Sequence, residues 1–230
     1  MTPAGRMGRF VPMNCPQCVG IEQLFNDAEA DAELRRFRKR GPRKTTRLLI
    51  EGVTEAGVTG RTLLDVGGGV GAVHLGLLAA GAKHALDIDA SSAFIRTARQ
   101  EAESRGLADR VTHRFGNFAE MAAEIPTADV VTLDRVICCY HDVEALLGLS
   151  ARRASSTLGM VFPRDIMRAR FMNRLLNLRR RLAGSPFRTF IHPRSRIEEI
   201  LGSCGLESIF QRRTFFWQVG VFRRVRPAAH

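Results

Sequence analysis

A glycine-rich turn is the segment of this sequence whose residue types and spacing most clearly indicate chemistry. Three consecutive glycines, and a fourth after one further residue, occupy 67–71, between a short apolar run at 61–66 and a helix-like stretch at 73–80. Glycine lets the backbone approach a ligand closely and adopt positive φ angles. Because open α/β sheets bind their ligands at the carboxyl ends of strands, this turn predicts a ligand site.

Two acidic residues accompany the turn and narrow the kind of ligand. Asp65 lies inside the first strand, two residues before the first glycine, and Asp89 ends the next strand. An acid at the end of the second strand is at the usual distance for holding a ribose diol. The phosphate-binding lysine of a P-loop is absent from the turn. A dehydrogenase remains an alternative, disfavoured by Asp65 and the terminal hairpin. Asp89 is also placed to cap a helix starting near Ser91.

These segments resemble those of a known family. The segment 63–71 resembles the first motif of the class I S-adenosylmethionine-dependent methyltransferases, and 84–98 resembles their second strand and following helix. The resemblance implies a methyltransferase with S-adenosylmethionine as cofactor, its methionine part beside Asp65 and the glycines, its ribose at Asp89 and its adenine at 116–118. Asn117 replaces the family's usual Asp there. The cofactor-binding residues implied are Asp65, Val66, Gly67, Gly68, Gly69, Gly71, Asp89, Ala90, Asn117, Phe118, Asp134 and Arg135.

Short patches narrow the resemblance further. The segments 134–142, 191–193 and 215–219 are similar to the magnesium-protoporphyrin O-methyltransferase branch. In the family, the loop after the fourth strand faces the methyl group and the acceptor. The patches therefore imply O-methylation of a small anionic molecule that bears a carboxylate. Whether Arg135 pairs with Asp134 or with a substrate carboxylate is left open by the sequence.

Tyr140 and His141, on the loop after the fourth strand, are the catalytic candidates. A carboxylate acceptor is already ionised at pH 7 and needs no base, whereas a phenol or hydroxyl acceptor needs one. His141 titrates nearest to neutrality and is therefore the better candidate base. A solvent-facing histidine is the alternative interpretation. Asp142 is predicted to cap the helix that begins at Val143.

Strand-like and helix-like segments alternate along most of the chain, which indicates βαβ units and a parallel sheet. The prediction is a Rossmann-like, doubly wound α/β fold with a mostly parallel seven-stranded sheet, a C-terminal antiparallel hairpin and an N-terminal helical cap. Strands are predicted at 61–66, 84–88, 111–114, 129–133, 158–162, 206–212 and 215–222. The predicted organisation is an N-terminal arm and helical cap at 1–44 and a methyltransferase domain at 45–230. The latter includes a basic lid or substrate-covering insertion at 164–194.

The basic segment at 168–182 allows two interpretations. Its arginines lie between the fifth strand and the hairpin, and Leu175, Leu178 and Leu182 have the spacing of one apolar stripe. One interpretation is a lid or a membrane-surface helix that admits a flat apolar acid. The other is a core-facing helix with a solvated basic face. The arginines are Arg168, Arg170, Arg174, Arg179, Arg180 and Arg181.

Composition limits the function classes. The 230 residues carry a net charge of +12, which favours anionic partners: small molecules, anionic lipid or nucleic acid. No apolar run approaches the ~20 residues that span a bilayer, and no secretory signal is readable. A cytoplasmic enzyme is predicted, with peripheral membrane contact as an addition. An RNA methyltransferase is disfavoured because aromatic residues are only 7% and no stacking motif is present. A non-catalytic scaffold is disfavoured because Asp65, Asp89 and the glycines are all retained.

The cysteines predict neither a disulfide framework nor a metal centre. An odd count without a secretory signal argues against disulfides. Cys15 and Cys18 have the spacing of half a zinc site, but a full site needs four ligands and no second pair follows. Cys138 and Cys139 are predicted to be small buried hydrophobic residues. The fifth cysteine is Cys204.

Overall fold

A computed structural model describes residues 16–225 of the chain. Its centre is a seven-stranded sheet in the order β3-β2-β1-β4-β5-β7-β6, which confirms the predicted fold. The first five strands pair in parallel, and the last two form the antiparallel hairpin. The strands are β1 Thr62–Val66, β2 His84–Asp89, β3 Val111–Phe115, β4 Ala128–Asp134, β5 Ala154–Pro163, β6 Leu206–Arg213 and β7 Trp217–Arg224.

Helices cover both faces of the sheet, as apolar strands buried on two sides require. They are α1 Pro16–Leu24, α2 Asp27–Arg40, α3 Lys44–Glu55, α4 Ala72–Ala79, α5 Ser92–Ser104, α6 Phe118–Met121, α7 Val143–Arg153, α8 Met167–Leu182 and α9 Arg194–Ser203. Short 3₁₀ turns occupy 108–110, 122–124 and 137–139. Alternate residues of β1 serve different faces: Leu63 packs in the cluster formed with α2–α5, and Leu64 in the cluster formed with α6, α7 and α9.

The N-terminal helices are joined to this core. In α2, Ala30, Leu34 and Phe37 are buried at helical spacing, and Asn26 caps the helix by accepting from the Glu29 backbone N–H. The helix ends at Gly41, whose φ of 69° suits glycine. The first two helices therefore form a cap at one end of the sheet. The domain boundary at 44/45 remains a prediction, and it falls at the first turn of α3.

The structure differs from the sequence expectation mainly at the ends of elements. The hairpin turn occupies 214–216 rather than two residues, because the Thr214 backbone N–H donates to the Trp217 carbonyl over 2.7 Å. The second hairpin strand therefore starts at Trp217, and β5 starts four residues earlier than predicted. Helix α1 begins at Pro16, inside the segment 1–44 that is predicted to form the N-terminal arm and helical cap. Among residues 16–225, no helix is both long and apolar enough to cross a membrane.

Candidate functional site

A cavity of about 560 Å³ lies at the carboxyl ends of β1, β2 and β4, under α1, α2 and α8. Strand ends at the centre of a parallel sheet are where such folds bind ligands. Ten of the twelve residues predicted to bind the cofactor line this cavity: Val66, Gly67, Gly68, Gly69, Asp89, Ala90, Asn117, Phe118, Asp134 and Arg135. The fold therefore brings together nearly all of the residues that the sequence singled out.

The glycine turn is held close against the residues beneath it. A Cβ added at Gly68 would lie 2.4 Å from Asp87 Oδ1 and 3.0 Å from Asp65 Oδ2, so no side chain fits there. Gly71 has a φ of 86° and immediately precedes α4, outside the cavity lining. Its backbone conformation starts the helix, and its predicted contact with the cofactor stays a prediction.

Asp65 lies beneath the glycine turn, and its predicted place beside the cofactor stays a prediction. The Asp65 side chain is fully buried and does not line the cavity. One carboxylate oxygen accepts from Thr132 Oγ1 at 2.6 Å, and the other lies 2.9 Å from His74 Nδ1. Because both oxygens have partners inside the fold, Asp65 supports the turn from below.

Asp65 belongs to a buried polar cluster that the sequence analysis missed. Asp87 pairs with His113 Nδ1 at 2.9 Å, and donor atoms of Asp65, His74 and Asp87 lie within 4.8 Å of one another, close enough to share a metal ion. Burial raises the pKa of Asp87 well above its usual value and lowers the pKa of His113 to about 4. Asp65, Asp87 and His113 meet because they are in register across three adjacent strands, a pairing that local spacing in the sequence does not reveal.

Asp89 presents its carboxylate to the cavity at the end of β2. Its two oxygens accept from the backbone N–H groups of Gly69, at 3.0 Å, and Ser91, at 2.8 Å. Burial raises the pKa of Asp89 to about 6 despite these two bonds. The helix-capping role considered for Asp89 belongs to Ser91, whose hydroxyl accepts from the Phe94 N–H. A carboxylate bonded on one side and lining a cavity on the other has the geometry to accept from a diol.

Asn117 lines the cavity, but its amide is used within the fold. The amide oxygen accepts from the Ala119 N–H at 3.1 Å and caps α6, while Nδ2 donates to Glu120 Oε1 at 3.0 Å and to Cys18 Sγ at 3.3 Å. An amide oxygen has a second lone pair, so the expected contact of this oxygen with an adenine amino group stays a prediction. The aromatic ring of Phe118 remains as an apolar wall of the cavity.

Arg135 pairs with Asp134 in the structure. Its Nε donates to Asp134 Oδ1 at 3.1 Å, and Thr46 Oγ1 donates to Asp134 Oδ2 at 2.5 Å. Arg135 has a φ of 62°, the one positive value for a non-glycine residue among the described residues. Such strained conformations persist where the surroundings fix them, often at functional sites. The Asp134–Arg135 pair therefore forms a fixed, charge-balanced edge of the cavity.

The wall opposite the glycine turn is rich in arginine. Glu33 lies between Arg36, at 2.8 Å, and Arg43, at 2.5 Å. Burial raises the pKa of Glu33, but the hydrogen bonds and charges of the two arginines outweigh it and lower the value to about 2. These two arginines are thus largely neutralised by a carboxylate that stays ionised at pH 7.

Arg180 is the exception on this wall. Its guanidinium donates to Thr189 Oγ1 at 3.0 Å and stacks over the Phe187 ring at 4.8 Å. Within the described part of the chain, no carboxylate pairs with it. Arg180 lies in the predicted basic segment, yet the sequence did not separate it from its neighbours. It leaves a fixed positive charge facing the cavity.

The two catalytic candidates have different surroundings. Tyr140 lines the cavity, whereas His141 is exposed and lies outside it, with its ring stacked on that of Tyr140 at 5.2 Å. The candidate base His141 thus lies on the outer side of the loop, and its role in catalysis stays a prediction. Asp142 caps α7 by accepting from the Ala145 N–H, as expected. His192, which sequence reasoning missed, lies 3.0 Å from the Ile137 carbonyl and fixes the loop.

The cysteines occupy varied positions. Cys138 is buried and Cys139 is half-buried, so the expectation of two buried residues holds for the first. Both line the cavity, with their sulfur atoms 3.8 Å apart. Cys18 is buried in α1 and also lines the cavity. Cys15 lies outside the described residues, so the half zinc site stays untested.

Residues 10–162 match the family model of the O-methyltransferase domain. The chain belongs to this family. It is an S-adenosylmethionine-dependent methyltransferase, in agreement with the resemblance of its glycine turn and second strand.

Known proteins resemble this methyltransferase over different lengths. A ribosomal protein L11 methyltransferase of Mannheimia succiniciproducens is 33% identical over 93 residues, which are 40% of this chain and 32% of the relative. The chain thus spans about a third of that relative's length. The fold matches the crystal structure of magnesium protoporphyrin IX methyltransferase from Synechocystis PCC 6803 with bound SAH. The TM-score is 0.69 at 20% identity, covering 91% of this chain and all of that one.

A second solved structure shares the fold. An O-methyltransferase family protein from Burkholderia thailandensis gives a TM-score of 0.64 at 20% identity, over 86% of this chain and 59% of that one. Identities at this level establish the architecture alone. The choice of acceptor must therefore be argued from the residues of the cavity.

Proposed function

We propose that this methyltransferase transfers a methyl group to a carboxylate oxygen of a small anionic molecule. The observation that carries the proposal is Arg180, a cation that lines the cavity without a carboxylate partner among residues 16–225. A charged hydrogen bond from a guanidinium orients a carboxylate more strongly than a neutral donor does. Arginine is also suited to bidentate recognition of this planar group.

The other half of the cavity fits the cofactor. In this proposal the backbone of 67–69 surrounds the methionine part, Asp89 accepts from the ribose hydroxyls, and Phe118 packs beside the adenine. The space of about 560 Å³ is within the range of pockets that hold molecules of this size. S-adenosylmethionine supplies an activated methyl group on a sulfonium centre. The protein then has to hold the acceptor oxygen in line with the methyl–sulfur bond and exclude water.

The solvent-facing position of the candidate base His141 supports a carboxylate acceptor over a hydroxyl acceptor. An acceptor carboxylate has a pKa near 4 and is ionised at neutral pH, so its oxygen attacks without losing a proton. His141 is exposed to solvent, whereas Tyr140, the other catalytic candidate, lines the cavity. The acceptor must therefore be bound and oriented rather than deprotonated.

The partner and location predicted from the sequence belong to this proposal. They are a small anionic acceptor, a cytoplasmic location and contact with a membrane surface through 168–182. RNA methylation is the disfavoured alternative. Aromatic side chains on the arginine-rich side of the cavity include Tyr140, Phe187 and Trp217, of which Tyr140 is stacked on His141 and Phe187 is covered by Arg180. Few aromatic faces remain there on which a base could stack.

The test is to incubate the enzyme with methyl-labelled cofactor and a cell extract, and then to divide the labelled products by chemistry. Mild alkali hydrolyses a carboxyl methyl ester and releases labelled methanol, whereas a methyl ether or an N-methyl group survives. We expect alkali-labile label in a small molecule, absent with the Asp89→Ala variant. Alkali-stable label in RNA or protein would contradict the proposal while leaving the methyltransferase assignment intact.

A further inference from the structure

Helix α8 is packed with its polar side inward. Asn173 and Asn177 donate to the Thr189 carbonyl at 2.9 and 2.7 Å, and Arg180 donates to the Thr189 hydroxyl at 3.0 Å. The Thr189 N–H donates back to Asn177 Oδ1 at 2.9 Å. Ala169 is the one fully buried residue of the helix. Polar bonds to the segment at 187–190, rather than an apolar face, fasten this helix to the enzyme.

The apolar residues of α8 face outward. Met167, Phe171, Leu178 and Leu182 are 86, 69, 52 and 79% exposed. At 100° per residue these four positions fall within an arc of about 60°. The interpretation of a core-facing apolar stripe is therefore wrong. A surface helix ordinarily shows the opposite arrangement, with apolar residues toward the core.

Arginines flank this apolar stripe on both sides. On the helical projection Arg174 and Arg181 lie on one side of the stripe, and Arg168 and Arg179 lie on the other. Within the part of the chain that the structure describes, none of these four arginines forms an ion pair, and Arg170 alone on the helix pairs with a carboxylate, that of Asp165. The helix contains no acidic residue. The face is thus both apolar and strongly cationic.

We propose that α8 lies in the headgroup region of an anionic membrane surface, with the stripe of Met167, Phe171, Leu178 and Leu182 entering the acyl boundary. Helices with an apolar face, flanking arginines and low overall hydrophobicity bind in this way. The flanking arginines reach the lipid phosphates while their methylene stems cover apolar surface. This proposal rests on the proposed function in one respect: it takes Arg180, on the inner side of the same helix, as the residue that contacts the acceptor.

Charge complementarity favours an anionic lipid surface over a second copy of the chain or RNA as the partner of this face. A second copy of the chain docked through the same face would bring together arginines with no acidic residue of α8 between them. RNA satisfies the arginines but offers no apolar medium for the exposed Phe171 and Leu182. An anionic lipid surface satisfies both kinds of residue. An amphiphilic acceptor dissolved in that surface would also be concentrated beside the cavity.

The experiment is co-sedimentation of the full chain with phosphatidylcholine vesicles, with and without about 30% phosphatidylglycerol. We expect binding to the anionic vesicles that weakens as salt is raised. The triple variant Phe171→Ser/Leu178→Ser/Leu182→Ser should bind at least ~10-fold more weakly, and Arg174→Gln/Arg179→Gln/Arg181→Gln should lose the preference for anionic lipid. The matched control is Ile209→Ser, which changes an apolar residue of β6 that is 43% exposed and should bind as the wild type does.

Calorimetry of cofactor binding on the same preparations shows whether each variant remains folded, and it separates this inference from the proposed function. If the enzyme binds vesicles but labels no carboxylate, the proposed acceptor alone is wrong. No binding to anionic vesicles, or equal binding by the triple apolar variant, would overturn the inference. A wild-type dimer that the triple variant abolishes, without vesicle binding, would also overturn it, as would binding to RNA alone.

Discussion

The two halves of the cavity are built in different ways. The half beneath the glycine turn consists mainly of backbone and strand ends. In this region burial raises the pKa values of Asp87 and Asp89, that of Asp89 to about 6. The opposite half consists of side chains from α2, α8 and the loop at 137–142, and there two arginines hold the pKa of Glu33 at about 2. One half is fixed by the topology of the sheet, and the other by side chains from distant segments.

This difference suggests a division of tasks. A backbone cradle can bind one constant ligand, since its shape follows from the strand–turn–helix geometry. A wall of charged side chains can change its specificity without disturbing the sheet. Substitutions in the first half should therefore affect cofactor binding and folding together, whereas those in the second should affect the acceptor alone.

The largest effect is expected at Gly68. In Gly68→Ala the new Cβ would lie 2.4 Å from Asp87 Oδ1, so the turn or the buried carboxylate must move. We expect the free energy of unfolding to fall by about 2–3 kcal/mol and cofactor binding to be lost in calorimetry. Gly202→Ala in α9 is the control, because its Cβ meets nothing within 4 Å. Normal cofactor binding by Gly68→Ala would show that the turn is not the cradle.

A smaller effect on the same half is expected from Asp89→Ala. This substitution removes an ionised acceptor of the proposed ribose hydrogen bonds, at a cost of about 1.5–3 kcal/mol for a bond to a charged group. Cofactor affinity should fall by roughly 10- to 100-fold. Thermal unfolding should change less than in Gly68→Ala. Unchanged cofactor affinity would remove Asp89 from the site.

Lowering the pH should reproduce part of this loss of cofactor affinity in the wild-type enzyme. Burial raises the pKa of Asp89 to about 6, so the carboxylate is ionised above this value and protonated below it. If the ionised form binds the ribose, affinity should be constant above about pH 6 and fall by up to about 10-fold per pH unit below it. Calorimetric titration with the cofactor at pH values between about 5 and 8 measures this change in affinity. Asp89→Asn should show a flatter profile, and a wild-type affinity that rises in acid would contradict the assignment.

The sequence predicted the first half well because its determinants are local. The glycines at 67–71 and Asp89 follow directly from strand-to-turn patterns, and they lie where the carboxyl ends of parallel strands meet. For Asp65 the local pattern indicates a position beside the turn but not the residues that contact its carboxylate. Its partners His74 and Thr132 come from another helix and another strand, and pairing across strands is not visible in local spacing.

The second half was predicted less completely for the same physical reason. The basic segment at 168–182 was recognised, but nothing local distinguishes Arg180 from its neighbours. Its role depends on Thr189 and Phe187 in a following loop, and on the absence of a carboxylate partner among the described residues. The face of α8 that points to solvent could likewise not be predicted, because periodicity identifies an apolar stripe but not whether that stripe packs against the protein.

Arg180→Gln should affect the acceptor and spare the cofactor. Loss of a charged hydrogen bond to the acceptor carboxylate should raise its KM by about 10-fold or more. Cofactor affinity should change little, since the residue belongs to the opposite wall. Arg181→Gln, which changes the exposed neighbour on the same helix, is the matched control. Equal effects of the two variants on KM would indicate a general electrostatic field rather than a specific contact.

The smallest effect is expected at His141, and the direction depends on the acceptor. A carboxylate with a pKa near 4 is ionised throughout pH 6–9, so kcat should be nearly flat over that range in the wild type and in His141→Ala. A phenol or hydroxyl acceptor requires a base, typically worth ~10²–10⁴-fold in rate. In that case kcat would fall in acid as the base takes up a proton, and the variant would lose both this acid limb and most of the rate. The exposed position of His141 favours the flat profile. A steep fall of kcat in acid that disappears in His141→Ala would contradict the carboxylate acceptor, because it would show that the acceptor must be deprotonated. It would also require the loop at 137–142 to turn inward when the acceptor binds.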